Sequence, residues 1–151
     1  MYRMVHILVE AVSAAPPAVV YELLRDPTTW TAWSSMDEVT PDRPGRDDPY
    51  GVGSTRKQTR GRVVGYDEVV ELVAGRRFSY VHLRGLPVRD YRADVDLEAA
   101  GGGTKIHWAV TFRPKTRGTG WLLRIGVRKF LQETARGLAD YASAAVAASD
   151  R

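Results

Sequence analysis

Apolar and polar residues alternate along most of the chain between residues 51 and 114. In the clearest stretch, charged residues take one side and apolar residues take the other, namely Tyr91, Ala93, Val95 and Leu97. A two-residue period places alternate side chains on one face of a β-strand. The pattern predicts strands at 52–60, 62–73, 78–83, 89–98 and 104–113, and a further strand at 4–12.

The last two of these strands are predicted to form a hairpin across the glycine-rich segment 99–103. One register places Leu97 opposite Ile106 on the apolar face and Glu98 opposite Lys105 on the charged face. Opposite charges that face each other across strands stabilise the pair, so a single register satisfies both faces. The other pairs that it predicts are Tyr91–Phe112, Ala93–Val110, Val95–Trp108 and Asp96–His107.

Helical patterns lie on either side of the strand region. Residues 13–26 repeat apolar positions at helical spacing, with Pro16 and Pro17 suited to a first turn. Residues 28–35 form a second short helical turn with Trp30 and Trp33 on one face, and the polar stretch 40–51 is predicted to be a loop. Residues 120–148 form a long amphipathic helix.

This order of elements predicts one α+β domain over residues 1–151. An antiparallel sheet of six to seven strands with one apolar face must be covered, and only the C-terminal helix is long enough to cover it. We therefore expect a curved sheet wrapped round that helix, with two short helices after strand one. Such a sheet rarely closes tightly round one helix, so a cavity is expected between them.

Composition excludes several classes of function. The 151 residues suffice for one domain with a sizeable core, roughly 70% of the extended surface being buried. The net charge of +4 is the difference between 22 basic residues, 18 Arg and 4 Lys, and 18 acidic residues. The arginines are scattered along the chain, which predicts no nucleic-acid partner. Cysteine is absent, which excludes disulfides and thiol chemistry. We expect a cytoplasmic protein, with residues 4–12 a strand and not a signal.

Five segments in the same order and spacing resemble the START / polyketide cyclase–dehydrase superfamily, also called SRPBCC, which has the helix-grip fold. They are APPAVVYELLRDPTTWTAWS, EVVELVAGRRFSY, GLPVRDYRADVDL, GGGTKIHWAVTF and FLQETARGLADYA. The resemblance implies an internal pocket for a hydrophobic or amphipathic small molecule, entered between loops and the terminal helix. The aromatase/cyclases of this superfamily use a tyrosine and an arginine at positions that correspond here to about Asp37 and to Val69 or Val70, which argues against the same cyclisation chemistry.

The connection between the third and fourth strands of the central region carries Leu86, Pro87 and Val88 at its tip, where polar turn residues are usual. Two interpretations are open. By the resemblance, this loop rims the mouth of the pocket and contacts the ligand. Alternatively, the apolar residues close the end of the core.

Candidate chemistry centres on Tyr80 and His82, which share a strand face with Phe78. The facing of strand 62–73 is open. An odd-length turn points Tyr66, Glu68, Val70 and Leu72 inward with Glu68 opposite His82. An even-length turn points Asp67, Val69, Glu71 and Val73 inward with Glu71 opposite Tyr80. We favour the first, because it buries more apolar surface. Glu68, Glu71, Tyr80 and His82 are therefore the catalytic candidates.

The predicted function is binding of a lipid, isoprenoid or polyketide in the cavity, for transport, storage or sensing. The alternative is a polyketide cyclase or dehydratase that uses the inward carboxylate, and a weaker one is partner or membrane binding through an edge at Trp121. We expect no metal, since the three histidines lie on separate strands, no cofactor, and a monomer or homodimer. The predicted ligand-binding residues are Trp33, Tyr66, Glu68, Tyr80, His82, Leu86, Pro87, Tyr91, Trp108, Val127, Phe130 and Thr134.

Overall fold

In the computed structural model, which describes residues 3–149, the strands form one antiparallel sheet of seven. In chain order they are β1 (Val5–Ser13), β2 (Glu38–Arg43), β3 (Thr55–Arg60), β4 (Val63–Val73), β5 (Arg77–Arg84), β6 (Val88–Ala100) and β7 (Gly103–Pro114). Their order across the sheet is β1-β7-β6-β5-β4-β3-β2. Helices α1 (Pro17–Arg25) and α2 (Trp30–Trp33) follow β1, with a 3₁₀ turn at Pro27–Thr29 between them, and α3 (Gly120–Ser149) ends the described chain.

The apolar face of the sheet packs against α3 and the two short helices. Trp108, Phe78 and Phe112 are among its largest fully buried side chains, and Leu131 and Leu138 of α3 are fully buried as well. The C-terminal half of α3 packs on β1, where Ser13 Oγ donates to the Ala139 carbonyl at 2.8 Å. This arrangement confirms the predicted helix-grip architecture.

The predicted β6–β7 register is confirmed from Leu97–Ile106 to Ala93–Val110, including both charged pairs. The Tyr91–Phe112 pair, however, lies at a β-bulge, because Arg89 pairs with Arg113 while Arg92 pairs with Thr111. Asp90 takes a positive φ of 52° there, and the rings of Tyr91 and Phe112 still stack at 5.9 Å between centroids. The bulge turns the end of β6 without removing Tyr91 from the interior.

The prediction that residues 40–51 are entirely loop was wrong at their start. Residues Glu38–Arg43 form β2, which pairs with β3 at one edge of the sheet. Its sequence carries a single buried apolar residue, Val39, and includes Pro41. Proline is tolerated on an edge strand because one side of that strand needs no ladder hydrogen bonds, so neither period nor composition indicated a strand.

No helix among residues 3–149 combines the length and the apolarity that crossing a membrane requires.

A close approach between α3 and α2 depends on Gly137. A Cβ at this position would lie 2.0 Å from the carbonyl oxygen of Trp33, a backbone atom that cannot rotate away. On the same helix, a Cβ at Gly126 would meet nothing within 4 Å among the described residues. The two glycines therefore form a matched pair.

We predict that Gly137→Ala lowers the free energy of unfolding by about 1–3 kcal/mol, because overpacking forces the helices apart. Gly126→Ala should be neutral or stabilising by up to about 1 kcal/mol, since alanine favours the helix. Urea denaturation followed by circular dichroism measures both. Equal effects of the two substitutions would contradict the close approach.

Candidate functional site

A cavity of about 440 Å³ opens between the sheet and the N-terminal half of α3. Its mouth is bordered by three segments: the β3–β4 turn with Arg60, Gly61 and Val63, the β5–β6 loop with Leu86, and α3 with Val127. Helix α3 lies along β1, from Gly120 beside Val5 to Ala139 beside Ser13, and the cavity occupies the space between the helix and strands β3–β7. In the N-terminal half of α3, Leu123, Val127 and Phe130 are only partly buried.

Aromatic rings form the inner wall of the cavity. Trp30 lies edge-on to Trp108 at 6.0 Å and to Tyr80 at 6.4 Å between ring centroids. Tyr91 and Phe130 also line the cavity, and the guanidinium of Arg60 lies 5.3 Å from the centre of the Phe130 ring. Such a wall offers a large apolar contact surface with few polar atoms, as is typical of small-molecule pockets.

A buried polar cluster interrupts the apolar wall. Asp67 on β4 is 6% exposed, and its Oδ1 lies 2.8 Å from Nδ1 of His82 on β5. Gln58 on β3 donates its amide to the other oxygen, Oδ2. Both carboxylate oxygens therefore have a partner, as a buried carboxylate requires.

His82 also holds the β5–β6 loop. The backbone N–H of Leu86 donates to Nε2 of His82 at 3.1 Å. Since Nε2 accepts this bond, it carries no proton, and the ring proton lies on Nδ1, where it is donated to Asp67. A chain of hydrogen bonds thus runs from Asp67 through the imidazole to the tip of the loop.

Tyr80 and Tyr91 stand beside this cluster. Burial raises the pKa of both hydroxyls, that of Tyr80 well above its ordinary value, and the negative charge of Asp67 raises both pKa values further. Each hydroxyl also affects the pKa of the other, so the two are neighbours. Both therefore remain protonated at physiological pH and act as neutral hydrogen-bonding groups.

A positive charge lies behind the aromatic wall. Arg56 is 4% exposed, and burial lowers its pKa to about 10. Its guanidinium donates to the carbonyl of Leu24 at 3.3 Å and to that of Arg25 at 3.1 Å, at the end of α1. Arg56 pairs in register with Asp67, so the two buried charges lie on adjacent strands.

The described residues offer no cluster of three or more His, Cys, Asp or Glu side chains that could hold a metal ion.

Comparison with known proteins agrees with this geometry. The sequence profile of the family described as "Polyketide cyclase / dehydrase and lipid transport" matches residues 4–143. The chain belongs to this family. The matched segment includes every strand and most of α3, and with them every residue that lines the cavity.

Similar proteins share the fold at low sequence identity. Uncharacterised proteins of Mycobacterium tuberculosis and Mycobacterium bovis are 28% identical to the chain over an alignment of 155 positions, which covers 91% of this chain and 84% of each relative. The crystal structure of the ZhuI aromatase/cyclase from a Streptomyces species has a TM-score of 0.81 at 15% identity, with 95% of this chain and 96% of that one covered. Ara h 8.0201 has a TM-score of 0.74 at 19% identity, with 93% and 98% covered.

A dimer provides a third structural comparison. The solution structure of the Aha1 dimer from Colwellia psychrerythraea has a TM-score of 0.65 at 17% identity, with 89% of this chain and 96% of that chain covered. These identities establish the helix-grip fold of this family member and nothing finer. The prediction of a monomer or homodimer stays open.

The predicted facing of β4 was wrong. Asp67 and Val69 point inward, opposite to the arrangement that we favoured, and a β-bulge between Val69 and Glu71 then returns Leu72 to the core side. Glu68 lies on the outer face, with its carboxylate 3.9 Å from the guanidinium of Arg43. Neither of the two simple phases therefore describes the whole strand.

Glu71 was the second carboxylate candidate, and it also points outward. Its Oε1 lies 3.3 Å from the guanidinium of Arg77 and 3.1 Å from that of Arg92. It pairs with Ser79 in the sheet and not with Tyr80. The inward carboxylate is Asp67, opposite His82. Of the two facings open from the sequence, only the one with an even-length turn placed Asp67 inward. Nothing in the sequence reveals the bulge after Val69, beyond which that facing no longer holds.

Eight of the twelve predicted ligand-binding residues line the cavity: Tyr80, His82, Leu86, Tyr91, Trp108, Val127, Phe130 and Thr134. The Thr134 hydroxyl donates to the Phe130 carbonyl at 2.8 Å, one turn earlier in its own helix. Trp33 is buried behind Trp30, 4.5 Å from it between centroids. Tyr66 lies on the outer face beneath the Arg84 guanidinium, 3.9 Å from its ring centre.

Each of the two interpretations of the β5–β6 loop describes part of its tip. Leu86 is half-buried and lines the cavity, whereas Val88 is buried in the core. Pro87 is exposed and does not line the cavity. The loop therefore both borders the mouth and contributes to the core.

The start of α3 carries the apolar edge predicted at Trp121. Trp121, Leu122 and Ile125 are 68%, 58% and 61% exposed. Arg124 and Arg128 are exposed on the same turns, close to the mouth residue Val127. Contact of this edge with a partner or a membrane stays a prediction.

The hydrogen bonds of His82 predict its tautomer. Long-range ¹H–¹⁵N correlation spectra at neutral pH should show Nδ1 protonated and Nε2 unprotonated, because Leu86 N–H donates to Nε2. His6 is exposed on β1 and should instead show averaged tautomers. A proton on Nε2 of His82 would show that the imidazole does not hold the loop.

Proposed function

We propose that this protein binds a hydrophobic or amphipathic small molecule of the lipid, isoprenoid or polyketide type, for transport, storage or sensing. The observation that carries the proposal is the cavity of about 440 Å³ with its aromatic inner wall and single polar cluster. This volume falls within the range of small-molecule sites, roughly 300–1,000 Å³. Membership of a family described by cyclase, dehydrase and lipid transport supports the same ligand class. We propose that binding takes place in the cytoplasm.

Filling the cavity should abolish binding. Val127 lines the mouth on α3, whereas Ile125 on the same helix is exposed and does not line the cavity. We expect Val127→Trp to weaken binding of the neutral fluorescent probe N-phenyl-1-naphthylamine at least about tenfold, because the indole occupies the space of the ligand. Ile125→Trp introduces the same ring outside the cavity and should leave affinity unchanged. Equal affinity for both variants would place the probe elsewhere and contradict the proposal.

The unknown natural ligand can be sought directly. Native mass spectrometry of the protein purified from its own host should reveal a co-purifying molecule. The Val127→Trp variant, purified in the same way, should lack it.

A second candidate function is supported by the Asp67–His82 pair. A buried carboxylate that orients an imidazole in a substrate-sized cavity is an arrangement suited to general base catalysis. In a cyclase or dehydratase, Nε2 of His82 would take a proton from the carbon next to a substrate carbonyl, and Asp67 would stabilise the imidazolium. Tyr80 would donate a hydrogen bond to the resulting enolate oxygen. Leu86 N–H occupies Nε2, so this chemistry requires the loop tip to move when substrate enters.

The outer-face carboxylates provide matched controls for this chemistry. If the protein is a cyclase or dehydratase, Asp67→Asn should lower kcat on an N-acetylcysteamine thioester of a linear polyketide by roughly 10²–10⁴-fold, because the general base His82 then loses the carboxylate that orients it and stabilises its imidazolium. Affinity for N-phenyl-1-naphthylamine should change by less than about twofold. Glu68→Gln and Glu71→Gln should leave turnover intact, because both side chains point away from the cavity. Equal rates in all three variants would exclude catalysis by Asp67.

A further inference from the structure

The first turns of α3 carry an exposed apolar patch. Trp121, Leu122 and Ile125 are three of the four most exposed large apolar residues among residues 3–149. Trp121 and Ile125 are four residues apart, and Leu122 and Ile125 are three apart, so the three side chains are neighbours on the helix surface. Ile125 lies roughly 200° round the helix from the cavity residue Val127, at about 100° per residue. The patch therefore faces away from the cavity and is open to solvent.

Positive charge surrounds this patch. Residues 114–132 contain five basic residues and no acidic one, so this segment carries more positive charge than the net +4 of the whole chain. All five are exposed, namely Lys115, Arg117, Arg124, Arg128 and Lys129. Arg25, Arg77 and Arg113 form ion pairs with carboxylates, whereas none of the five has such a partner within residues 3–149. We call the apolar patch and these five cations the Trp121 surface.

A bilayer that contains anionic phospholipids matches both features of this surface. Tryptophan is favoured at the level of the lipid headgroups, because its ring is apolar and its N–H is polar. Each lysine or arginine near an anionic membrane adds attraction, which acts over about one Debye length. A helix with an apolar stripe and flanking cations lies in the plane of the interface. The first turns of α3 have this composition.

A second copy of this chain fits the surface less well. A two-fold contact places the same surface on both partners, so the five cations of one copy would oppose the five of the other. Three apolar side chains are also few for a stable protein–protein interface, which buries roughly 800 Å² on each partner. On a membrane, the same three side chains supplement an attraction that the cations already provide. The charges therefore favour the membrane.

We propose that the Trp121 surface docks on a bilayer that contains anionic phospholipids. Trp121, Leu122 and Ile125 contact the headgroup region, and the five cations face lipid phosphates. Because Val127 lines the mouth from the opposite face of the same helix, the cavity then opens about one helix diameter, roughly 10 Å, from the docked face. The inference goes beyond the proposed function, since docking does not depend on what the cavity binds.

Sedimentation with sucrose-loaded vesicles tests the inference. One set of vesicles consists of phosphatidylcholine alone, and in the other about one third of the lipid is phosphatidylglycerol. At about 0.1 M salt, the wild-type protein should partition onto the anionic vesicles at least about tenfold more strongly than onto the neutral ones. The preference should decrease when the salt is raised to about 0.5 M, because the Debye length then shortens.

Two matched aspartate variants test the apolar patch. Ile125 and Val12 are both β-branched, and they are 61% and 71% exposed. Val12 lies at the end of β1 away from Gly120, which is beside Val5. Ile125→Asp should weaken partitioning onto anionic vesicles roughly tenfold or more, because it removes apolar contact and adds a repelled charge. Val12→Asp adds the same charge outside the surface and should change partitioning by less than about twofold.

Two matched double variants test the cations. Arg124→Gln/Arg128→Gln removes two charges from the Trp121 surface, and Arg46→Gln/Arg76→Gln removes two exposed charges elsewhere. We expect the first to weaken partitioning roughly ten- to thirtyfold and the second by less than about twofold, because only cations close to the membrane contribute strongly. Circular dichroism of each variant checks that it is folded.

Tryptophan fluorescence gives a second measurement on the wild-type protein. Trp30, Trp33 and Trp108 are buried, so Trp121 is the exposed tryptophan of the four. Anionic vesicles should shift the emission to shorter wavelength and reduce quenching by acrylamide, because the Trp121 ring leaves water. Neutral vesicles should have little effect on either quantity.

Three results would overturn the proposal. The first is equal partitioning onto neutral and anionic vesicles, or onto neither. The second is an equal effect of Ile125→Asp and Val12→Asp, which would place the contact elsewhere. The third is a dimer, detected by light scattering, that Ile125→Asp abolishes, since the surface would then bind a second copy. Binding of N-phenyl-1-naphthylamine is measured without vesicles, so failure of docking and failure of the proposed function are distinguishable.

Discussion

The contact of a single helix with a curved sheet determines the rest of this structure. Along its C-terminal half, α3 presents small residues, Ala135, Gly137, Ala139 and Ala142, which let it approach α2 and β1 closely. Towards its N-terminus the residues on the same side are larger and only partly buried, Phe130, Val127 and Leu123 among them. The helix lies along β1, from Gly120 beside Val5 to Ala139 beside Ser13, so space is left between its larger residues and strands β3–β7. The cavity is the space that results.

The polar cluster is the second constraint, because a buried carboxylate is costly unless its oxygens have partners. Asp67 obtains them from Gln58 and His82, which belong to the strands on either side of β4. The imidazole then has one nitrogen left, and the β5–β6 loop supplies a backbone N–H for it. The position of the loop tip therefore depends on Asp67, which lies on the third strand from the β2 edge of the sheet. Asp67 orients the imidazole of His82, and the imidazole in turn bonds the backbone of the loop. This gives a physical reason for an apolar tip at Leu86, because the hydrogen bond comes from the backbone and leaves the side chain free to line the cavity.

The sequence predicted a strand pairing correctly where the residues on both faces of the strands required the same register. The β6–β7 hairpin was predictable because apolar pairs on one face and charge pairs on the other required the same register. Strand β4 was not, because both of its faces contain carboxylates and valines, and a bulge changes the facing after Val69. Asp67 was missed for that reason, although its partner His82 was identified. Strand β2 escaped prediction because an edge strand needs little apolar surface and tolerates Pro41.

Binding and catalysis make opposite demands on the same hydrogen bond. A binding protein benefits from a fixed mouth, so the bond between Leu86 N–H and His82 Nε2 is an advantage, as it holds a wall residue in place before the ligand arrives. A catalyst needs Nε2 free to take a proton, so the same bond has to break in each cycle. In the structure the bond is formed, and both oxygens of the carboxylate behind it have hydrogen-bond partners. Both ring nitrogens of His82 are therefore engaged, so the arrangement as it stands favours binding over proton transfer.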